Sequence, residues 1–385
     1  MIPYVTDTPD ITIPANLLPS DGRFGCGPSK VRPEAVQALA DDAGTFLGTS
    51  HRQKTVKSKV GSLREGLAQL FSLPEGYVVA LGNGGTTCFW DAATFQLIDR
   101  KSQHLTFGEF SSKFATAAAD APHLGDPEII SSDVGTHPDP VAREDVDLYA
   151  FTHNETSTGV MMPILRPAGA ASPGEGGGLV AVDATSGAGG LRVDPEQFDA
   201  YYFAPQKCFG SDGGLWVALL SPAAVERVAE IAASGRWVPA SMDLTIALDN
   251  SRLDQTYNTP ALATLFLFEN QVRWFNDNGG LGFSVGRSDR SAEILYTWAE
   301  ASDFATPFVA REQDRSHVIG TIDFDDSVDA AQVAAVLRAN GIVDTEPYRK
   351  LGRNQLRIAL FPAIDPEDVA SLCGCITYVV GALAQ

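Results

Sequence analysis

The chain is short of cysteine, short of basic residues and without a long apolar run, and each shortage removes a class of function. Its five cysteines, Cys26, Cys88, Cys208, Cys373 and Cys375, are odd in number and mostly scattered, unlike the even set of a secreted disulfide framework. A reducing cytoplasm is the simpler home. Cys373 and Cys375 form a C-x-C pair in a segment that reads as helical, where i and i+2 point in different directions. They read as buried apolar thiols, and no metal site is expected. Forty-eight acidic residues against 28 basic ones give a net charge of -20, and no local basic cluster interrupts that field. Nucleic acid and anionic membrane surfaces are therefore excluded as partners. The most apolar stretch, Ala261 to Phe268, is far shorter than the ~20 residues a membrane span requires. The opening, Met1 to Arg23, has no basic start and no apolar core and carries Asp7, Asp10 and several prolines, so it does not read as a signal peptide.

What is present is the composition of a globular enzyme. With 385 residues, 44% hydrophobic and 20% charged, the chain can bury a sizeable core and suits a two-domain α/β protein. Pro33 to Phe46 and Val56 to Phe71 read as helices. Tyr77 to Leu81 reads as a buried strand ending in the turn Gly82-Asn83-Gly84-Gly85, followed by a helix from Thr87 to about Ile98. Further strands are expected at Gln103 to Thr106, Glu128 to Ile130, Leu148 to Thr152, Leu179 to Val182, Ala200 to Phe203 and Leu215 to Leu220, with a helix over Ser111 to Ala121. Short apolar strands alternating with helices point to a mostly parallel sheet covered on both faces.

The loop from Pro167 to Gly178 is rich in Gly, Ala, Pro and Ser, but strand signals resume after it, so it is not read as a linker. A long helix near Pro260 to Asn278 is the better boundary, giving a large unit over 1–265 and a smaller α+β unit over 266–385. The smaller unit reads as helix Ser291 to Ala301, strand Val318 to Phe324, helix Val328 to Asn340, strand Gln355 to Ala359 and a last helix. That helix has Asp365 at the N-cap, Pro366 at the first position and acidic residues in the first turn.

Ligands of open α/β sheets collect at the carboxyl ends of strands, and polar residues gather there in this sequence. Leu81 to Thr87 is a glycine-rich turn that opens a helix, able to aim N–H groups and the Thr86 hydroxyl at a phosphate or to be a plain tight turn. His153 to Gly159 is a polar run after a strand. Asp183 ends an apolar strand, as a turn former or as a functional acid. Lys207 follows a strand amid aromatic and apolar residues, where burial favours its neutral amine. An aspartate and a lysine past neighbouring strands match what a pyridoxal cofactor requires: an amine for the aldehyde and a carboxylate for the ring nitrogen. The remaining histidines, His104, His123, His137, His153 and His317, read as surface or turn residues, with His153 the one that could border a cofactor.

Taken together, Phe24-Gly25-Cys26-Gly27-Pro28-Ser29, Ser50-His51-Arg52, Asn154-Glu155-Thr156, Asp183, Gln206-Lys207, Tyr257-Asn258-Thr259-Pro260 and Leu356-Arg357 resemble the class V branch of fold-type I pyridoxal-phosphate enzymes, and within it the phosphoserine aminotransferase family, across nearly the whole chain. The resemblance implies an α/β fold with a seven-stranded, mostly parallel sheet and a smaller α+β C-terminal part. It implies that Lys207 holds pyridoxal 5'-phosphate as a Schiff base and shuttles a proton, that Asp183 pairs with the ring nitrogen, that Thr156 bonds the phenolic oxygen and that Phe110 stacks on the ring. Gly85, Thr86 and Gln206 would hold the cofactor phosphate, with Asn258 and Thr259 reaching in from the second subunit of a homodimer. Arg357 would grip the substrate α-carboxylate, and His51, Arg52 and Lys350 the substrate phosphate.

The implied reaction moves an amino group between L-glutamate and 3-phosphohydroxypyruvate, giving 2-oxoglutarate and O-phospho-L-serine, a step of serine biosynthesis. The sequence departs from the family pattern at Thr86, where arginine is frequent, at Phe110, where tryptophan is frequent, and near Lys350, where a phosphate-gripping histidine is replaced. An alanine- or serine-glyoxylate aminotransferase lacks use for Ser50-His51-Arg52. A cysteine desulfurase needs a reactive cysteine on a mobile loop, and a non-catalytic scaffold leaves the full set of matches without a purpose.

Overall fold

The computed structural model describes residues 9–170 and 177–384. The first eight residues and half of the loop expected over 167–178 lie outside that description. The order of elements begins with α1 (Pro33–Phe46) and α2 (Lys54–Leu70), then β1 (Val78–Gly84), α3 (Thr86–Gln96), β2 (Ser102–Thr106), α4 (Glu109–Ala119), β3 (Glu128–Ser131) and β4 (Leu148–Thr152). A two-residue hairpin, β5 (Asn154–Glu155) with β6 (Val160–Met161), leads to β7 (Leu179–Asp183), β8 (Ala200–Phe203) and β9 (Gly214–Leu220).

Seven of these strands form one sheet in the order β1-β9-β8-β7-β4-β2-β3. All its neighbours pair in parallel except β9, which runs antiparallel to both β1 and β8. The carboxyl ends of β1, β2, β4, β7 and β8 therefore share one edge. β4, β7 and β8 are buried along their whole length, which is why they read as continuous apolar runs.

Side-chain alternation splits those runs between two cores. Tyr149, Phe151, Val180, Val182, Tyr201 and Phe203 face one core with α2 and the later helix α7. Ala150, Leu179, Ala181, Ala200, Tyr202 and Ala218 face the other, against Phe89 and Trp90 of α3 and Phe114 of α4. The small residues on the second face let the helices approach closely. Each fully buried large side chain contributes roughly 1.5–3 kcal/mol relative to exposure.

The chain continues through α5 (Pro222–Ala233), α6 (Leu244–Arg252), α7 (Leu262–Asp277) and α8 (Gly280–Ala301), then β10 (Ala305–Pro307), β11 (Ile319–Phe324), α9 (Ala330–Ala339), β12 (Gln355–Ala359) and α10 (Pro366–Leu383). The last strands form an antiparallel sheet, β10-β11-β12. A third core gathers around it and includes Ile13, Phe24 and Cys26 from the N-terminal segment. The expected division at 265 falls inside α7, whose Leu265, Phe266, Phe268 and Val272 belong to the first core.

Several local expectations are corrected. The strand before the glycine-rich turn runs on to Gly84, because its register with β9 continues to Gly214. α8 begins at Gly280 and not at Ser291, and its buried Ser284, Ser288 and Ser291 form a close-packed small-residue face. The histidines are not all peripheral. His104 is 1% exposed and shares a hydrogen bond with Ser102, and His153 is 4% exposed and faces the Tyr201 hydroxyl. Burial holds the pKa of His104 down at about 3 and that of His153 at about 4, so both are neutral core residues. Among the described residues no helix is long and apolar enough to cross a membrane.

Candidate active site

Asp183 closes β7 and is 5% exposed. Its Oδ1 accepts from the Thr185 backbone N–H at 2.9 Å and the Thr185 hydroxyl at 2.6 Å, and its Oδ2 accepts from Trp90 Nε1 at 3.0 Å. Burial pushes its pKa up while those donors pull it back, and the net shift is upward. Among the described residues no lysine or arginine pairs with it, so the charged form lacks a cationic partner. A protonated ring nitrogen supplies one.

Lys207 stands four residues past β8 on the same edge. Burial holds its pKa down at about 8, and its Nζ donates to the Cys26 carbonyl at 2.6 Å. The amine lies 5.9 Å from the centroid of the Phe110 ring. A Cβ at Gly27, whose φ is +133°, would lie 2.3 Å from Nζ, so the backbone conformation favours glycine there and a side chain would displace the amine.

Phe110 sits in the first turn of α4, and a residue that sequence reasoning quoted but gave no role fixes that turn. Glu155 is fully buried. Its carboxylate accepts from the backbone N–H groups of Phe110, Ser111 and Ser157 and from the Ser111 and Ser157 hydroxyls. A negative charge on the α4 N-terminus also complements the helix dipole. The same segment brings in Thr156, whose hydroxyl donates to Ser186 Oγ at 2.8 Å, as does Asn154 Nδ2 at 2.8 Å. The Thr156 carbonyl accepts from Arg357 Nη1 on β12 at 3.1 Å, and the Arg357 guanidinium lies 5.3 Å from the Tyr348 ring centroid.

Gly85 and Thr86 start α3, where the first-turn N–H groups have no intrahelical partner. Space is open beside Gly85, and the Thr86 hydroxyl lies 2.7 Å from that of Thr185. Asn83, two residues before Gly85, donates to the Thr259 carbonyl at 3.3 Å, which joins a second cluster to the first. In it the Thr259 hydroxyl is 3.2 Å from His51 Nδ1, the Thr259 N–H donates to Asn258 Oδ1 at 2.8 Å, and Arg52 donates to the Gln255 side chain. Arg52, Tyr257, Asn258 and Thr259 are exposed. Lys350 is also exposed and engaged by the Glu109 carboxylate.

Unpartnered buried atoms mark where a polar ligand fits. Among the described residues, Asn83 Oδ1, Asn154 Oδ1, Gln206 Oε1, Arg357 Nε and His51 Nε2 have no hydrogen-bond partner. They belong to segments that converge on the strand ends from both the large sheet and β12. Buried polar atoms are rarely left unpaired without a ligand or water to complete them. The donor set, a raised carboxyl, a lowered amine and an open helix N-terminus, fits pyridoxal phosphate.

Comparison with known proteins agrees with this geometry. The aminotransferase class-V family model matches residues 133–345. The phosphoserine aminotransferase of Rhodococcus jostii is 62% identical over 98% of this chain and all of its own length. That of Corynebacterium glutamicum is 60% identical over 98% of both chains. Among solved structures, a phosphoserine aminotransferase from Cytophaga hutchinsonii superposes with a TM-score of 0.83 at 23% identity, covering 93% of this chain and 99% of that one. One from Bacillus circulans gives 0.81 at 19% identity over 94% and 99%. The chain therefore belongs to the class V aminotransferases, in the phosphoserine aminotransferase family.

Proposed function

We propose that the protein transfers an amino group between L-glutamate and 3-phosphohydroxypyruvate, giving 2-oxoglutarate and O-phospho-L-serine, with pyridoxal 5'-phosphate as cofactor. The observation that carries this reading is the pair Asp183 and Lys207 on one sheet edge, one carboxyl raised and one amine lowered by burial. Pyridoxal phosphate supplies an aldehyde that takes up an amino group and a protonated ring that accepts the electron pair released at the substrate α-carbon.

The chain's residues supply the rest. Lys207, free base in a useful fraction near neutral pH, would hold the cofactor through its aldehyde, and its Nζ would carry a proton to and from the substrate α-carbon. Asp183 keeps the ring nitrogen protonated, and Trp90 and Thr185 hold Asp183 in place. Thr156 bonds the phenolic oxygen and Phe110 covers one ring face. Gly85, Thr86 and Gln206 receive the cofactor phosphate. Arg357 takes the α-carboxylate, since a planar guanidinium matches a carboxylate with two parallel bonds.

The cluster of half-buried His51 with exposed Arg52, Asn258 and Thr259 belongs at a subunit boundary. There Asn258 and Thr259 reach the cofactor phosphate of a partner copy, and His51 and Arg52 its substrate phosphate. A homodimer in the cytoplasm follows from this reading. Lys350 joins the substrate phosphate only by leaving Glu109, so it is a secondary contact.

Single half-reactions test the proposal. Phosphoserine, glutamate, alanine and serine are each offered alone, and the loss of the aldehyde-form absorbance is followed. Phosphoserine and glutamate are expected to react fastest. Faster reaction with alanine or unphosphorylated serine contradicts the substrate assignment and leaves the cofactor assignment standing.

A further inference from the structure

A second cavity, about 480 Å³ in volume, opens between elements before and after α7 and includes none of the residues assigned above. This is the size range of sites for small molecules. Part of its lining is apolar, with Met161, Met162, Leu191 and Val285. Besides Asp139, its charged and titratable groups gather around two carboxylates of different character, Asp289 and Asp314.

The first is closed. Asp289 accepts from His317 Nδ1 at 2.7 Å and is bridged by Arg192 at 2.8 Å.

The second is open. Asp314 is 2% exposed, and its Oδ2 has no hydrogen-bond partner among the described residues. Arg311 Nε lies 3.3 Å from Oδ2, and the His137 imidazole Nε2 lies 3.4 Å from Oδ1. Arg311 lines the cavity with its side chain 58% exposed, and among the described residues its ion pair with Asp314 is made through Nε. Arg311 balances the charge of Oδ2 without hydrogen-bonding it, and a buried carboxylate oxygen short of a hydrogen bond gains from a further donor.

An α-amino acid carries an ammonium and a carboxylate on one carbon, so its recognition requires an acid and a guanidinium side by side. Asp314 and Arg311 present that arrangement within 3.3 Å. A lone anion would meet the Asp314 charge, and a lone cation would meet Arg311. We infer that this cavity binds a small α-amino acid as its zwitterion, the ammonium donating to Asp314 Oδ2 and the carboxylate accepting from Arg311. This site is separate from the proposed reaction, and its walls tie the C-terminal elements to the main sheet.

Titration calorimetry on the holoenzyme tests it, with L-serine as the probe and acetate and methylammonium as its singly charged fragments. L-Serine is expected to saturate a site whose affinity falls about tenfold or more in both Asp314→Asn and Arg311→Gln, a loss of ~1.4 kcal/mol or more. The fragments are expected to bind at least that much more weakly than L-serine in the unaltered protein. Turnover of phosphoserine with 2-oxoglutarate, measured alongside, stays unchanged in both variants and reports separately on the proposed reaction. Equal L-serine affinity in the exposed-site variant Arg311→Gln, absence of saturable binding, or fragments binding as tightly as L-serine overturns the inference.

Discussion

The Lys207 amine donates a 2.6 Å hydrogen bond to the Cys26 carbonyl, joining residues 181 positions apart. It ties the segment after β8 to a strap whose own side chains, Phe24 and Cys26, lie in the C-terminal core. Gly27 makes the approach possible, because a Cβ there would overlap Nζ. Gly27→Ala is therefore expected to weaken uptake of pyridoxal phosphate by displacing the Lys207 amine. The titration is read by absorbance of the bound cofactor, and normal uptake contradicts the steric argument.

The pH dependence of cofactor uptake follows from the Lys207 amine. With a pKa of about 8, the amine is mostly protonated below that value, half free base at it, and its nucleophilic fraction levels off only above it. Uptake by cofactor-free protein is expected to follow that curve, measured by stopped-flow absorbance. A rise that continues toward the usual lysine range near 10.5 shows that burial does not depress this amine.

Asp183→Asn keeps the Oδ1 acceptor for Thr185, loses the one that Trp90 bonds, and removes the charge that holds the ring proton. Turnover is expected to fall by about 10²–10³-fold, the usual cost of losing one preorganised electrostatic contact. Circular dichroism should stay unchanged. A variant with near-normal turnover would remove Asp183 from the reaction.

Arg357→Lys keeps the charge and loses the planar fork. With Nε buried and unpartnered, the guanidinium is held ready for a carboxylate. The expected result is a KM for glutamate raised about 10–100-fold, equivalent to ~1.5–3 kcal/mol for a charged hydrogen bond, with a smaller change in kcat. An unchanged KM places the carboxylate elsewhere.

Glu155→Ala leaves the buried donors of Phe110, Ser111 and Ser157 unsatisfied. Denaturant unfolding is expected to show a loss of about 3 kcal/mol. A loss indistinguishable from zero would mean that water replaces the carboxylate.

Much of this molecule was legible because its signals are local. α1 spans Pro33–Phe46, β4 Leu148–Thr152 and β12 Gln355–Ala359, each with the bounds that apolar runs and flanking breakers indicate. Asp183 and Lys207 stood out by their position after such runs. What stayed hidden depends on long-range packing. α5 and α6 were not read, although Ser221 before Pro222 caps α5 and Asp243 caps α6. α8 was shortened because glycine and serine on a tightly packed face look like loop residues. The Thr185 contact with Asp183 is an i+2 turn that a sequence can suggest, but Trp90 meets Asp183 across 93 residues. Glu155 acts on a helix terminus 44 residues away, and no spacing rule announces that. The open pair Asp314–Arg311 is close in sequence, yet only the cavity gives it meaning.

The most direct test of the central claim is borohydride reduction of the cofactor-loaded protein followed by peptide mass mapping. The expected result is a phosphopyridoxyl adduct on the peptide that contains Lys207 and on no other. An unmodified Lys207 peptide, or an adduct carried by a different lysine, contradicts it.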